Sequence, residues 1–489
     1  MYGSSSQSHV EQQPLLPSYS PVVTRREHGD AHVAPAWPTT FEKGVDAYMA
    51  SPANIRRRSS SRGSFSEHSR ILATPEIDGA DLNGGGAATH GKMNYKEAVF
   101  NAINVLLGVG VLSSPFALRS SGMLVGVPLF FFFTLVTNHT GKLLGKCLDY
   151  QEGMSTYPDI GEAAFGTRGR LFIGVIFFSE LFTACAMFNV LIGDTLAALL
   201  PGFTPSQLTV IAFLIIMPTL WTPHLSLLSY FSIIGILSSM FCLFTVFFVG
   251  FSINPTDVGY TMGSLLHPQP LEIVADVDRI PLAIGLTMVA FGGHSVFPSI
   301  CSSMADRTEY PKVLDVAYFI VCLVYGAIEV GGYLMFGVHT TKEITLNLIA
   351  VFPGVITHTM IWTIALNPMS KIAITITPIA LALEEVILTP QEIHSGRTKI
   401  KVFRAFIRSV IGVATLFCAL FVPHFARVTS FLGSFFAMLA SVFLPCVCYV
   451  KLFQHRLSRW EIALNAGLAV VSIFFAVIGT VASFTSPAE

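Results

Sequence analysis

Glu180, Glu329, Lys371 and His294 each fall near the middle of a long apolar stretch. A charged Lys, Asp or Arg at the centre of a membrane-spanning helix costs about 2.5–3.5 kcal/mol, and Glu is comparable, so each such group needs a partner or a use. The structural use is an internal ion pair or a protonated acid that holds helices together, and a lone histidine is equally served by a hydrogen bond to a neighbouring helix. The chemical use is proton carriage. Desolvation makes a carboxyl hold its proton, and a cation entering nearby makes it release that proton. No calcium, zinc or phosphate-loop motif accompanies these groups, and no arrangement of nucleophile, base and oxyanion donor is legible. Enzymatic activity and a resident metal or organic cofactor are therefore not expected; the ion to be handled is H+.

Chemistry at that depth needs polar backbone, and two stretches supply it. Asn101 to Leu118, NAINVLLGVGVLSSPFAL, is apolar enough to begin a span, yet Gly108, Gly110 and Pro115 interrupt it. Leu282 to Ser299, LAIGLTMVAFGGHSVFPS, repeats the device, with Gly293 five residues before Pro298 as Gly110 is before Pro115. Irregular backbone survives at membrane depth only where protein buries it or a cavity needs it, and its freed amides and carbonyls are then open to a ligand. Paired interrupted spans point to a secondary transporter built from inverted repeats. In transporters with a broken first span, sodium commonly sits between that span and the eighth. Lys371 places a fixed ammonium in the eighth span, so sodium independence is expected, unless the lysine snorkels towards the cytosolic face.

The elements around these breaks are membrane helices. Of 489 residues, 52% are hydrophobic and 12% charged, with 40 phenylalanines, which excludes an ordinary soluble globule. Twenty-nine basic residues against 30 acidic ones leave no positive field for nucleic acid. The eight cysteines lie in or beside apolar stretches and read as free thiols. Hydropathy assigns eleven spans, the first and sixth broken. Most Lys and Arg near span ends fall on one side, at Lys142, Lys146, Arg168, Arg170, Arg307, Lys312 and the Arg397–Arg408 run. That makes the N-terminus cytosolic and the C-terminus lumenal. Asn138-His139-Thr140 is a glycosylation sequon at the cytosolic end of the second span and is expected to stay unmodified.

Met1 to Gly91 is rich in Ser, Pro, Gly and Ala and reads as a disordered cytosolic tail. No early apolar run resembles a cleavable signal, so the first span is expected to direct insertion. Glu11, Leu15 and Leu16 fit an acidic dileucine signal for a coat adaptor. Arg56-Arg57-Arg58 precedes Ser59, Ser60 and Ser61 as basophilic kinases prefer, although a plain solvated basic run is an equal reading.

NVLLGVGVLSSPFAL, TYPDIGEAAFGTRGR, LLSYFSIIG, FGGHSVFPSICSSMADR, GYLMFG, EITLNL, NPMSKIAITITPIALALEE and LPCVCYVKL occur in this order. Together they resemble the signatures of the amino acid/auxin permeases, and among them most closely the vacuolar and vesicular amino-acid transporters. The resemblance runs from about Asn94 to the C-terminus. It implies an all-α polytopic protein of the LeuT-like fold (the APC superfamily), with five-plus-five inverted repeats, an eleventh span and proton-coupled amino-acid movement. On that basis residues 92–253 form the first repeat, 254–280 a lumenal loop, 281–452 the second repeat, and 453–489 the last span with a short lumenal end.

The resemblance further implies that backbone around Val109, Gly110 and Val111 receives the substrate carboxylate, and carbonyls around Phe291, Gly292 and Gly293 its ammonium. Asn104, Gly108, His294 and Tyr325 complete the expected substrate set, with Phe116 and the neighbours of Glu180 as further lining. Glu180, Glu329 and Lys371 are the expected coupling groups. A monomer is expected, because one chain holds a complete repeat pair. The expected location is a vacuolar or lysosome-like membrane; the alternatives are a plasma-membrane proton/amino-acid or auxin-type importer and a nutrient receptor signalling through the tail.

Overall fold

The structure is a computed structural model that describes residues 93–151, 153–221, 225–253, 262–388, 398–422 and 424–485. The sorting residues Glu11, Leu15 and Leu16 and the serines Ser59, Ser60 and Ser61 lie outside the described residues. Among the described residues the chain is helical, with one isolated backbone bridge, Met93 to Met304, in place of any strand.

Among the described residues eight helices are long and apolar enough to cross a membrane, from Ser114–Leu148 to Arg459–Thr485. The remaining apolar elements are the 16-residue helix Pro205–Leu220 and the pieces of the two interrupted stretches. Neither interrupted stretch forms one long helix. The first is Tyr95–Leu106, a 3-10 turn at Val109–Leu112, and the beginning of Ser114–Leu148; the second is Ile280–Val289 and Phe297–Ser303. A helix of about 20 residues spans the hydrocarbon at 1.5 Å per residue, so these short pieces cross only as joined pairs.

Local chemistry sets the helix starts. Asn94 caps Tyr95–Leu106 in a reciprocal box: the Glu97 N–H donates to Asn94 Oδ1 at 3.0 Å and the Asn94 N–H to Glu97 Oε2 at 3.2 Å. Thr156 with Asp159 and Thr204 with Gln207 repeat the arrangement ahead of Tyr157–Phe165 and Pro205–Leu220. Within Ser114–Leu148 the helix turns at Gly122, where φ is 70°. Only glycine fits there, since a Cβ would lie 2.6 Å from the Ala275 nitrogen in the loop packed against the bend.

The Thr167–Leu199 helix packs on Val355–Ile387, which in turn packs on Leu225–Ser252. Ser114–Leu148 packs on Tyr310–Phe336 and on Ile280–Val289. The tenth apolar stretch is not a uniform α-helix. It runs as Phe425–Phe431, two π-helical turns at Leu432–Ala437 and Leu439–Phe443, and Leu444–Phe453. It crosses Ile280–Val289 at backbone contact: a Cβ on Gly433 would meet the Gly285 carbonyl oxygen at 1.9 Å. All eight cysteines are unbridged.

Candidate functional site

The two breaks face each other. The first opens after Leu106, where the Gly108 N–H turns back to the Leu106 carbonyl at 2.8 Å. Val109 and Gly110 then begin a 3-10 turn, so their amides have no preceding turn to donate into. In the second break, among the described residues, the carbonyls of Phe291 and Gly292 accept no backbone hydrogen bond. Donors on one segment and acceptors on the other are the complement of a zwitterion. The outer ends are tied by backbone, with Met93 N–H donating to Ser303 O at 3.0 Å and Ala305 N–H to Met93 O at 2.9 Å.

Between the breaks lies a cavity of about 120 Å3. That is well below the roughly 300–1,000 Å3 of sites for drug-sized ligands, so it suits a small molecule. Gly108, Val109, Gly110, Gly292 and Gly293 supply its backbone walls, and Glu180 and Lys371 its ionisable ones. Leu181, Met187, Phe188, Val289 and Leu432 make the rest largely apolar. Small residues at the walls keep the backbone reachable. A Cβ on Gly110 would already lie 3.0 Å from Val289 Cγ1, whereas one on Gly292 would meet nothing closer than 3.5 Å.

Glu180 sits on Thr167–Leu199, and its Oε2 accepts a short hydrogen bond from the Ser295 hydroxyl of the second break. Glu180 is therefore tied to the second break through the Ser295 side chain. Lys371, on Val355–Ile387, lies against Gly235, where a Cβ would come within 3.3 Å of its Nζ. Asn367, one turn earlier, keeps a buried Oδ1 with no partner among the described residues. It borders a void of about 10 Å3 shared with Val111, no larger than about one probe sphere and so at the lower limit for a single water.

The other expected site residues stand behind these walls. His294 is fully buried and turned towards Ser114–Leu148, its Nε2 3.0 Å from both Thr140 Oγ1 and Thr137 O, and it does not line the cavity. Tyr325 does not line it either. Its hydroxyl donates to Leu106 O at 3.2 Å and accepts from the Gly108 N–H at 3.3 Å. Its ring stands 6.2 Å from Phe291, which stacks on Tyr318 at 6.3 Å. Tyr325 thus braces the first break against the second. Asn104 lies one turn before the break, with its Oδ1 buried and unpartnered among the described residues. Glu329 is buried on Tyr310–Phe336, away from the cavity. Phe116 lines a different space, an 850 Å3 vestibule beyond the breaks with Arg279, Lys342 and His424 on its walls. That larger void lacks the open backbone that marks the site.

Ser295, Leu432 and Ala437 line the cavity without having been expected there. Ser295 had a signal, its place two residues after Gly293. Leu432 and Ala437 had none, since they reach the cavity through a π-helical turn that ordinary apolar periodicity does not announce.

Residues 91–486 match the family described as transmembrane amino acid transporter protein. The chain belongs to this family. It is 36% identical over 396 residues to the amino acid transporter AVT1E of Arabidopsis thaliana, covering 79% of this chain and 72% of the relative. It is 35% identical over 397 residues to amino acid transporter AVT1D of the same plant, covering 79% and 68%. Among solved structures it resembles a Na+-coupled sialic acid symporter in a substrate-bound outward-open state, with TM-score 0.51, 16% identity and 81% and 89% of the two chains covered. The inward-facing conformation of Mhp1 gives TM-score 0.52 at 14% identity, covering 86% and 93%. The fold is therefore LeuT-like, as the family resemblance implied. The chain is a multi-pass membrane protein of an amino-acid transporter family.

Proposed function

We propose that this protein is a proton-coupled, sodium-independent transporter of neutral amino acids in a vacuolar or lysosome-like membrane, working by alternating access. The observation that carries the reading is the shared wall: Glu180 borders the same cavity as the open backbone of both breaks and is bonded to one of them through Ser295. A substrate carboxylate meets the amides of Val109 and Gly110, and its ammonium meets the carbonyls of Phe291 and Gly292 beside Glu180. Arrival of that ammonium favours the ionised carboxylate, so substrate and proton compete or alternate at one place. Lys371 supplies a fixed positive charge at the cavity edge and takes the place of a coupling cation. The dileucine tail supports an organellar address. One pH unit is worth about 1.4 kcal/mol and 100 mV about 2.3 kcal/mol per charge, enough for one proton to sustain accumulation of one to two orders of magnitude.

The test is uptake of a panel of labelled amino acids into proteoliposomes under a pH gradient of either sign, with and without sodium, for the native chain and Glu180→Gln. Gradient-driven, sodium-indifferent accumulation that Glu180→Gln uncouples is expected, and the active polarity separates antiport from symport. Binding with no flux under any gradient would replace transport by a receptor role.

A further inference from the structure

A second cluster of ionisable groups lies at the far end of the helix that carries Glu180. Asp194 is 14 residues beyond it on Thr167–Leu199, about 21 Å along the axis, and is only 8% exposed. Lys342, in the loop before Ile344–Val351, donates to Asp194 Oδ2 at 2.8 Å. The next residue, Glu343, is wholly buried, and neither of its carboxylate oxygens has a hydrogen-bond partner among the described residues. The groups beside it are the Asp194 carboxylate and the Thr195 hydroxyl.

The loop is fixed, so this burial follows from its bonding. Arg119 Nη1 donates to Thr340 O at 2.9 Å, the Thr341 N–H to Asn347 Oδ1 at 2.7 Å, and the Thr341 hydroxyl to Glu343 O at 2.9 Å. Two buried carboxyl groups then share one ammonium, that of Lys342, which itself lines the vestibule. Were both acids ionised, a negative charge would remain buried with only the Thr195 hydroxyl beside it as a donor; a proton on Glu343 removes that charge.

We propose that Glu343, set against Asp194, is a proton-binding site that latches the vestibule-wall loop onto the Thr167–Leu199 helix, protonated while Lys342 bridges to Asp194 and deprotonated when the loop leaves that helix. Burial first, then the Asp194 carboxylate, push the Glu343 carboxyl well above the usual carboxylate range, and Lys342 offsets this in part. On exposure it returns towards the usual carboxylate range. The latched form thus binds the extra proton. Its stability is full below the exposed value and is lost as pH rises towards the buried one. From the vestibule side the charged and titratable groups are His424, which precedes the Phe425–Phe431 element, Arg427 on it, Asp276, Asp278 and Arg279, with Arg119 bonded to the loop itself. Burial, then Arg427 and Lys342, lower the pKa of His424, a shift opposite in direction to that of Glu343. The latch is separate from Glu180 and requires no proton-driven flux.

Two measurements on the full chain in lipid nanodiscs test it. Infrared titration follows the protonated-carboxyl band: near neutral pH the native protein should show a component that Glu343→Gln removes and that Glu180→Gln and His424→Gln leave. A spectrum unchanged by Glu343→Gln overturns the assignment. The second reads the vestibule, through labelling of Ser120→Cys by a membrane-impermeant thiol reagent relative to the exposed reference Val338→Cys at the same pH, which cancels thiolate chemistry. The ratio should climb with pH by up to about tenfold per unit, the limit for one linked proton, and should stay low and flat in Glu343→Gln. A flat native ratio, or the same slope in Glu343→Gln, overturns the latch; the native ratio decides alone if the variant does not fold. Proton-driven uptake enters neither measurement, so the latch and the transport reading can fail separately.

Discussion

Replacing Tyr325 by Phe removes one oxygen and leaves the ring in place. That oxygen donates to Leu106 O at 3.2 Å and accepts from the Gly108 N–H at 3.3 Å, on either side of the point where the first span stops being helical. The side chain is fully buried, so no water replaces it. Gly108 N–H and Leu106 O keep their mutual bond at 2.8 Å. The loss is therefore one or two long hydrogen bonds, about 1–2 kcal/mol in all at about 0.5–1.5 kcal/mol each. The energy is lost from the broken conformation, whose open amides at Val109 and Gly110 are the proposed carboxylate site. We expect an increase of about 5- to 30-fold in apparent KM for amino-acid uptake. The maximal rate and the response to the proton gradient should change little, because Glu180 and Ser295 are untouched. Concentration-dependent uptake into proteoliposomes reads this directly, with melting of the purified variant as a control for folding. A folded variant with native KM would refute the idea that the hydroxyl holds the break open, and a variant with native KM but lost coupling would relocate Tyr325 to the proton path.

Three further substitutions probe what holds the site in place. Gly433→Ala drives a Cβ to 1.9 Å from the Gly285 carbonyl oxygen. Overpacking costs about 1–3 kcal/mol where side chains can yield, and here backbone meets backbone, so loss at or above the top of that range should show as a lower melting temperature or failed expression. Gly292→Ala is the contrasting case, since its Cβ would meet ordinary contacts at 3.5 Å; the protein should fold normally and lose substrate binding as the cavity fills. Glu384→Ala removes the carboxylate that accepts from Arg404 Nε at 2.7 Å and Arg408 Nε at 3.1 Å. With Arg408 only 8% exposed, denaturation should register a loss of about 3–5 kcal/mol, and native stability in this variant would mean that the Arg408 bond to Leu220 O suffices.

The sequence by itself determined the class and the places where the spanning helices break. Apolar runs of spanning length dictate helices, because lipid leaves no other way to satisfy backbone polar groups. Gly108, Gly110, Gly292 and Gly293 inside such runs mark where that rule is set aside, and the structure places these glycines on the cavity walls. Glu180 was legible for the same reason, as a charge that lipid would reject. What the sequence does not determine is direction. A buried ionisable or aromatic group at span depth can face the cavity, a neighbouring helix or another break, and 3.6-residue periodicity cannot choose among them when every face is apolar. Tertiary packing turned His294 onto Thr137 and Thr140, put the Tyr325 hydroxyl behind the first break, and left Glu329 away from the cavity. It also brought Glu343 against Asp194 across 149 positions of chain, a pairing no local signal announces.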